Sequence, residues 1–249
     1  YAREIRLPEY SGGLDGILIN CRNKIVGILN GIDTEEFDPA TSRSLFVNYD
    51  ADTLDRKREN KLGLQRMLAL PEDPDVPMLC MISHLANYKG FDLLRKSINK
   101  VGPSGNLLDT NIQLVILGRG DADIEGYLDH IQKMYDRRVR LIVTHSPDLA
   151  QKVLAAADMC LMPSRTEPCG LMQMYACRFG TVPIVRATGG LLDSITDCEK
   201  HENGNGFMFE EYDSDVMDRT ITRAVSVYYY HKDEWRALQK RGMACDHSW

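Results

Sequence analysis

From residue 76 onward, short runs of consecutive apolar residues alternate with longer amphipathic stretches. Continuous apolar runs of this length suit strands buried on both faces, and the stretches between them suit helices packed on those faces. The pattern predicts strands near 78–83 (MLCMIS), 112–117 (IQLVIL), 139–143 (VRLIV), 159–162 (MCLM) and 182–185 (VPIV), with a weaker one at 206–209. Helices are expected over about 90–100, 122–135, 147–157, 170–179, 190–196, 213–230 and 233–245, with Pro147 in the first turn of its helix. The alternation implies an α/β, Rossmann-like parallel sheet with helices on both faces, and in such sheets ligands lie outside the carboxyl ends of the strands.

The first 40 residues break the pattern. PEYSGGLDG is rich in turn formers, and VGILNGID (26–33) reads as one strand-like run ending in Asn-Gly. Residues 1–40 are therefore expected to be a connector, and 41–249 the α/β domain. Within 41–76 one helix is expected at 51–69, followed by the proline-rich loop PEDPDVP.

Composition narrows the function classes. The 249 residues carry a net charge of −6, so no broad positive field draws nucleic acid or anionic lipid, and any phosphate site must be local. The seven cysteines (Cys21, Cys80, Cys160, Cys169, Cys177, Cys198 and Cys245) lack C-x-x-C spacing, which argues against a zinc site and a disulfide framework and suits a reducing compartment. No apolar run is long enough to span a membrane, and the first residues lack the apolar core of a secretion signal. With no initiator methionine and an abrupt stop at HSW, both ends are expected to be cuts in a longer protein.

Four segments carry a resemblance: KIVGILNGID at 24–33, SHLANYKGFDLL at 83–94, QLVILGRGD at 113–121, and ADMCLMPSRTEPCGLMQMYACRFGTVPIVRATGGLLDSI at 157–195. In order and spacing they resemble the bacterial and plant glycogen/starch synthases, and NGNGFMFEEYD with WRALQKRGMACDHSW extends the likeness from about Tyr1 to Trp249. The resemblance implies a GT-B enzyme in which two Rossmann-like domains face across a cleft. This chain would be the C-terminal, donor-binding half, with 1–40 closing the N-terminal domain and a helix returning to it from near Trp249. The activity implied is retaining glucosyl transfer from ADP-glucose or UDP-glucose to an α-1,4-glucan, without a metal or other cofactor. Acceptor binding falls to the N-terminal domain, and the cytoplasm is the expected compartment, with a plastid as the alternative.

The resemblance also assigns roles. Lys89 matches the lysine that contacts the diphosphate, and Glu167 the glutamate beside the donor sugar, where a carboxylate accepts hydrogen bonds from hydroxyls and faces positive charge at the anomeric carbon. Taken alone, Lys89 could be a solvated helix start and Glu167 a first-turn acid favoured by the helix dipole. Gly170, Leu171 and Met172 open a helix whose free N–H groups can meet the diphosphate, although Met172 stands where a polar residue is usual. Gly118 and Gly120 either approach the ligand or simply make a turn, and Arg119 between them replaces a smaller residue. His145 falls where an aromatic packs on the nucleobase, or is a plain loop residue. Thr188, Gly189 and Gly190 match a TGGL segment that binds sugar or phosphate, or they form a glycine-rich helix entry with Asp193 as a first-turn acid.

His84 is the main departure, because it occupies the place of a phosphate-binding arginine. Arginine is permanently charged and forked, whereas histidine is only partly charged at neutral pH. His84 thus motivates a competing reading, a non-catalytic family member that binds nucleotide or glucan as a scaffold or regulator. A sucrose synthase or a nucleotide-sugar epimerase is a third, and Tyr175, in place of a second glutamate, argues against the former.

Overall fold

The computed structural model describes residues 1–101 and 105–248. Six parallel strands, β1 (Met78–Ile82), β2 (Gln113–Gly118), β3 (Val139–Val143), β4 (Met159–Met162), β5 (Val182–Arg186) and β6 (Phe207–Phe209), form one sheet in the order β3-β2-β1-β4-β5-β6. Each expected strand from 78 onward is present, within a residue of its predicted ends. Every residue of β2 and β5 is buried, the apolar runs together with Gln113 and Arg186 at their ends, as strands between two helical layers are.

Helices α3 (Phe91–Ile98), α4 (Ala122–Met134), α8 (Ser214–Tyr230) and α9 (Lys232–Met243) contribute to a core cluster centred on Leu94, Ile116, Ile184, Phe207 and Trp235. Helices α2 (Lys57–Met67), α5 (Pro147–Ala156) and α6 (Met172–Arg178) contribute to a second, around Leu64, Cys80, Val115, Leu154 and Phe179. Local chemistry sets the helix starts: Ser146 accepts from Leu149 N–H ahead of Pro147, and Asp213 accepts from the N–H groups of Asp215 and Val216. A short helix α7 (Gly189–Ser194) follows β5.

Two expectations are corrected. The helix at 51–69 is a 3-10 turn, Leu54–Arg56, running into α2, which ends at Met67. The strand-like run at 26–33 is not a strand: it joins no ladder among the described residues, its Ile32 N–H donates to His247 O at 2.9 Å, and Val26 and Ile28 are 80% and 78% exposed. A short helix α1 (Asp15–Asn20) forms within the first 40 residues, where none was expected. Trp249, near which a returning helix was expected, lies outside the described residues. No described helix is long and apolar enough to cross a membrane.

Helix α2 docks through buried cations as much as through Leu64. The Lys61 Nζ lies 2.6 Å from Asp158, whose carboxylate also accepts from Met78 N–H at 2.7 Å. The Lys57 Nζ meets the carbonyls of Leu154, Ala155 and Phe179 at 2.7, 3.0 and 3.1 Å, and the Thr181 hydroxyl at 2.8 Å. One amine therefore joins the carboxyl ends of α5 and α6, sharing Leu154 O with the Thr181 hydroxyl and Phe179 O with the Tyr49 hydroxyl, and serving Ala155 O by itself. Burial pulls the Lys57 pKa down to about 7, with Asp158 opposing the shift.

Replacing Lys57 with Met leaves the Ala155 carbonyl without a donor, while Leu154 O keeps the Thr181 hydroxyl and Phe179 O the Tyr49 hydroxyl, and is expected to cost about 1–3 kcal/mol of unfolding free energy in urea. The unfolded chain keeps the ordinary lysine value of 10.5 and so binds more protons than the native state between pH 7 and 10.5. This group's contribution accordingly falls as pH drops from 10.5 towards 7, by up to about 1.4 kcal/mol per unit, and the parent-minus-Lys57→Met difference should follow that slope.

Candidate active site

The order of the sheet reverses between β1 and β4, which places a crevice outside their carboxyl ends. Loop 83–90 leaves β1 and loop 163–171 leaves β4, so the two segments richest in candidate residues flank that crevice. Gly90 makes the first loop possible. Its φ of +87° ends the 3-10 turn Asn87–Lys89 and starts α3, and a Cβ there would lie 2.4 Å from the Pro163 carbonyl oxygen. Lys89 is thereby held against the β4 loop.

The Lys89 ammonium grips Glu167, with Nζ 2.8 Å from Oε1 and 2.6 Å from Oε2. Glu167 is 5% exposed, while the Lys89 side chain keeps 20% of its surface open. The Ser164 hydroxyl donates to Glu167 Oε2 at 2.9 Å. The carboxylate is therefore fixed from two sides, and the ammonium has one side open to the crevice.

Past Glu167 the chain turns at Gly170, with φ +67°, into α6. The N–H groups of Gly170, Leu171 and Met172 have no acceptor among the described residues. They remain available to an anion, as the first N–H groups of a helix do. The Gln173 amide nitrogen donates to Gly170 O at 2.7 Å and Ser194 Oγ at 3.0 Å, which pins this turn to α7.

Thr188, Gly189 and Gly190 are differently engaged. The Thr188 hydroxyl and the Gly189 N–H donate to the two carboxylate oxygens of Glu4, at 3.0 and 2.8 Å, and the Gly190 N–H donates to Glu167 O at 3.0 Å. A Cβ on Gly189 or Gly190 would lie 2.0 Å from Glu167 O or 1.6 Å from Cys169 O. Backbone contact with the Glu167 loop thus explains the paired glycines without a ligand. Asp193 is exposed in the same helix.

Gly118 and Gly120 lie at the end of β2, beside loop 83–90. A Cβ on either would meet Ser83 O at 1.9 Å or Leu85 O at 2.3 Å, and the Gly120 N–H is taken by Glu125 Oε1 at 2.8 Å. His84 is exposed, with its ring 6.5 Å from that of Tyr88. His145 is exposed just past β3, two strands from the crevice on the same edge. Tyr175 stacks on Phe37 at 3.9 Å, which gives this position a packing role.

Three supporting residues escaped the sequence reading. Glu4 lies 185 residues from the amide it caps, so nothing local signals it. Ser164 sits in the quoted motif, three residues before the carboxylate it meets, and spacing could have singled it out. Tyr212 donates to Asn87 O at 3.1 Å and to Asp92, while the Arg165 guanidinium lies 4.3 Å over its ring. Burial, then the Asp92 carboxylate, pushes the Tyr212 phenol up, so it stays a neutral donor that ties the Lys89 turn to α3.

Fold and sheet order define a Rossmann-like α/β domain with a polar crevice at its switch point. The chain belongs to the glycosyltransferases group 1 family, whose model matches residues 67–236. It is similar to the glycogen synthase of Moorella thermoacetica, 47% identical over 250 residues that cover 100% of this chain and 50% of that protein. It is likewise similar to the glycogen synthase of Pseudothermotoga lettingae, at 44% identity and the same coverage. The chain thus spans about half the length of the curated relatives it matches. Among solved structures, the catalytic domain of starch synthase IV from Arabidopsis thaliana, bound to ADP and acarbose, aligns with a TM-score of 0.91 at 34% identity, over 100% of this chain and 51% of that one. Sucrose-phosphate synthase from Thermosynechococcus elongatus aligns at 0.63 and 20% identity over 97% of this chain and 53% of its own, a likeness of fold alone. The resemblance drawn from the motifs agrees with these relatives.

Lys89→Met leaves the buried Glu167 carboxylate with only the Ser164 hydroxyl, and urea unfolding should register a loss of about 3 kcal/mol. Glu167→Gln leaves the Lys89 ammonium free to turn to solvent and should cost about 1 kcal/mol or less. Equal losses in the two variants would mean that the carboxylate is not held mainly by the ammonium.

Proposed function

We propose that this chain is the donor-binding half of a retaining glucosyltransferase that extends an α-1,4-glucan from ADP-glucose or UDP-glucose. The observation that carries the reading is the Lys89–Glu167 pair, 2.6 Å apart in the crevice between β1 and β4, with the unengaged amides of 170–172 on the same loop. The glycogen synthases among the relatives, and a similar starch synthase solved with ADP and acarbose, support glucan as product and a nucleoside diphosphate as leaving group. Residues 1–40 then belong to the connector and the end of an N-terminal domain that brings the glucan, and 41–249 form the donor domain. The compartment proposed is the cytoplasm, and no metal or other cofactor enters the reaction.

In this reading the bond between the anomeric carbon and the diphosphate oxygen breaks while an acceptor hydroxyl bonds to that carbon on the same face, its proton passing to the departing oxygen. Lys89 and the amides of Gly170, Leu171 and Met172 meet the negative charge that develops on the diphosphate. Glu167 accepts from glucose hydroxyls and faces the positive charge at the anomeric carbon. Held by Lys89 before the donor arrives, it needs little reorganisation when that charge appears. His84, Gly118, Gly120 and His145, on the ends of β1 to β3, follow the nucleotide along the sheet edge away from the sugar. Thr188, Gly189 and Gly190 contribute on the sugar side, where the Glu4 carboxylate is the group a ligand displaces or packs beside.

His84 favours the second reading, a scaffold that binds without turnover. Glucan elongation by the full-length protein separates the two: an inactive parent made active by His84→Arg supports the scaffold. For the enzyme, calorimetric titration with ADP, UDP and their glucose conjugates should give saturable binding with a clear preference for one base. Lys89→Ala and Glu167→Ala should each lower transfer by about a hundredfold or more. A full-length parent that binds none of the four at about millimolar concentration would sink the enzyme reading.

A further inference from the structure

We infer that Arg119 is the residue that supplies a guanidinium to the donor's diphosphate in this chain, in the place His84 leaves short. The inference rests on the reading of the crevice as a nucleotide-sugar site and adds to it a binding residue. It starts from strand register. β1 and β2 pair from Met78↔Gln113 to Ile82↔Leu117, and the ladder resumes with unchanged offset at the bridge Leu85↔Gly120. Between those points Ser83 N–H donates to Leu117 O at 3.1 Å, Leu85 N–H to Arg119 O at 3.1 Å, and Asp121 N–H to Leu85 O at 2.8 Å. His84 and Arg119 are therefore register partners at adjoining strand ends. Such partners share a face of the ladder, one strand spacing of about 4.8 Å apart.

The glycines on either side of Arg119 fix that geometry, since a Cβ at 118 or 120 would collide with Ser83 O or Leu85 O, at 1.9 and 2.3 Å. They let the two backbones touch, which answers for the glycines in LGRGD without a ligand. The Gly120 N–H is occupied by Glu125, so that glycine has no donor to offer an anion, whereas the Arg119 side chain does.

That side chain is exposed, and it makes no ion pair or hydrogen bond with the described residues. Two arginines on the β4 and β5 side of this edge are committed. Arg165 pairs with Asp92 at 3.3 Å, and Arg186 donates to the carbonyls of Ser164 and Glu210 at 2.7 and 3.2 Å and to that of Arg165. Asp121 and Glu125 stand in the same turn as Arg119, and Glu125 is the one engaged with the backbone. A guanidinium one strand over from position 84 offers the permanent charge and forked donors that an imidazole lacks. Two of the departures seen in the sequence, His84 and Arg119, thus become one displacement of a cation across the β1–β2 ladder.

The test is a substitution cycle in the full-length protein, read by calorimetry with ADP and UDP and by competition with adenosine and uridine. Arg119→Ser should weaken the preferred diphosphate by about ten- to a hundredfold and leave the matching nucleoside unchanged. Adding His84→Arg to Arg119→Ser should restore most of the loss, with the thermal midpoints of all variants alike. A parent that binds a diphosphate no better than Arg119→Ser overturns this inference alone. So does a loss that His84→Arg fails to recover, or one shared by the nucleoside. A parent that binds neither diphosphate overturns it together with the proposed function.

Discussion

The site depends on one ion pair formed across the switch point of the sheet. Lys89 and Glu167 come from loops on neighbouring strands, 78 residues apart in the chain, and meet at hydrogen-bonding distance because β1 and β4 lie side by side. A nearly buried carboxylate is tolerable only with such a partner. The pair therefore sets the position of both loops before any ligand arrives, and the turn at Gly170 and the helix behind it inherit that position.

Around the pair lies a frame of supporting contacts. Tyr212 anchors the Lys89 turn to α3, Gln173 ties the Gly170 turn to α7, and Glu4 reaches from the first residues of the chain to the start of α7. Through Gly190 N–H and the Glu167 carbonyl, this last contact joins the amino-terminal segment to the loop that bears the carboxylate. Two hydrogen bonds thus separate the Glu4 carboxylate from the Glu167 backbone.

Much of the fold was legible because a strand covered on both faces must be mostly apolar, as MLCMI and the LVIL of QLVILG are. The run VGILNGID misled because apolar spacing describes one edge of a strand and says nothing about whether a neighbour exists to pair with it. The buried role of Lys57 was illegible for the opposite reason. A lysine on a helix reads as solvated until the carbonyl ends of two other helices are known to converge on it. Lys89 and Glu167 were found through their motifs, and the structure brings those two together. In LGRGD and TGGL the motifs were equally visible, yet their glycines have a packing reason of their own. Glu4 and the register partnership of His84 with Arg119 needed the three-dimensional pairing of strands and loops.

The glycines at 118, 120, 189 and 190 bring main chain against main chain, so at these four points the loops beside the crevice are spaced by peptide units and not by side chains. Evolution can then swap what hangs from those loops, an imidazole here or a thioether there, without respacing them. A single added methyl at any of those four positions would do what no exchange of a charged group does: it would wedge two loops apart and change the shape of the opening itself.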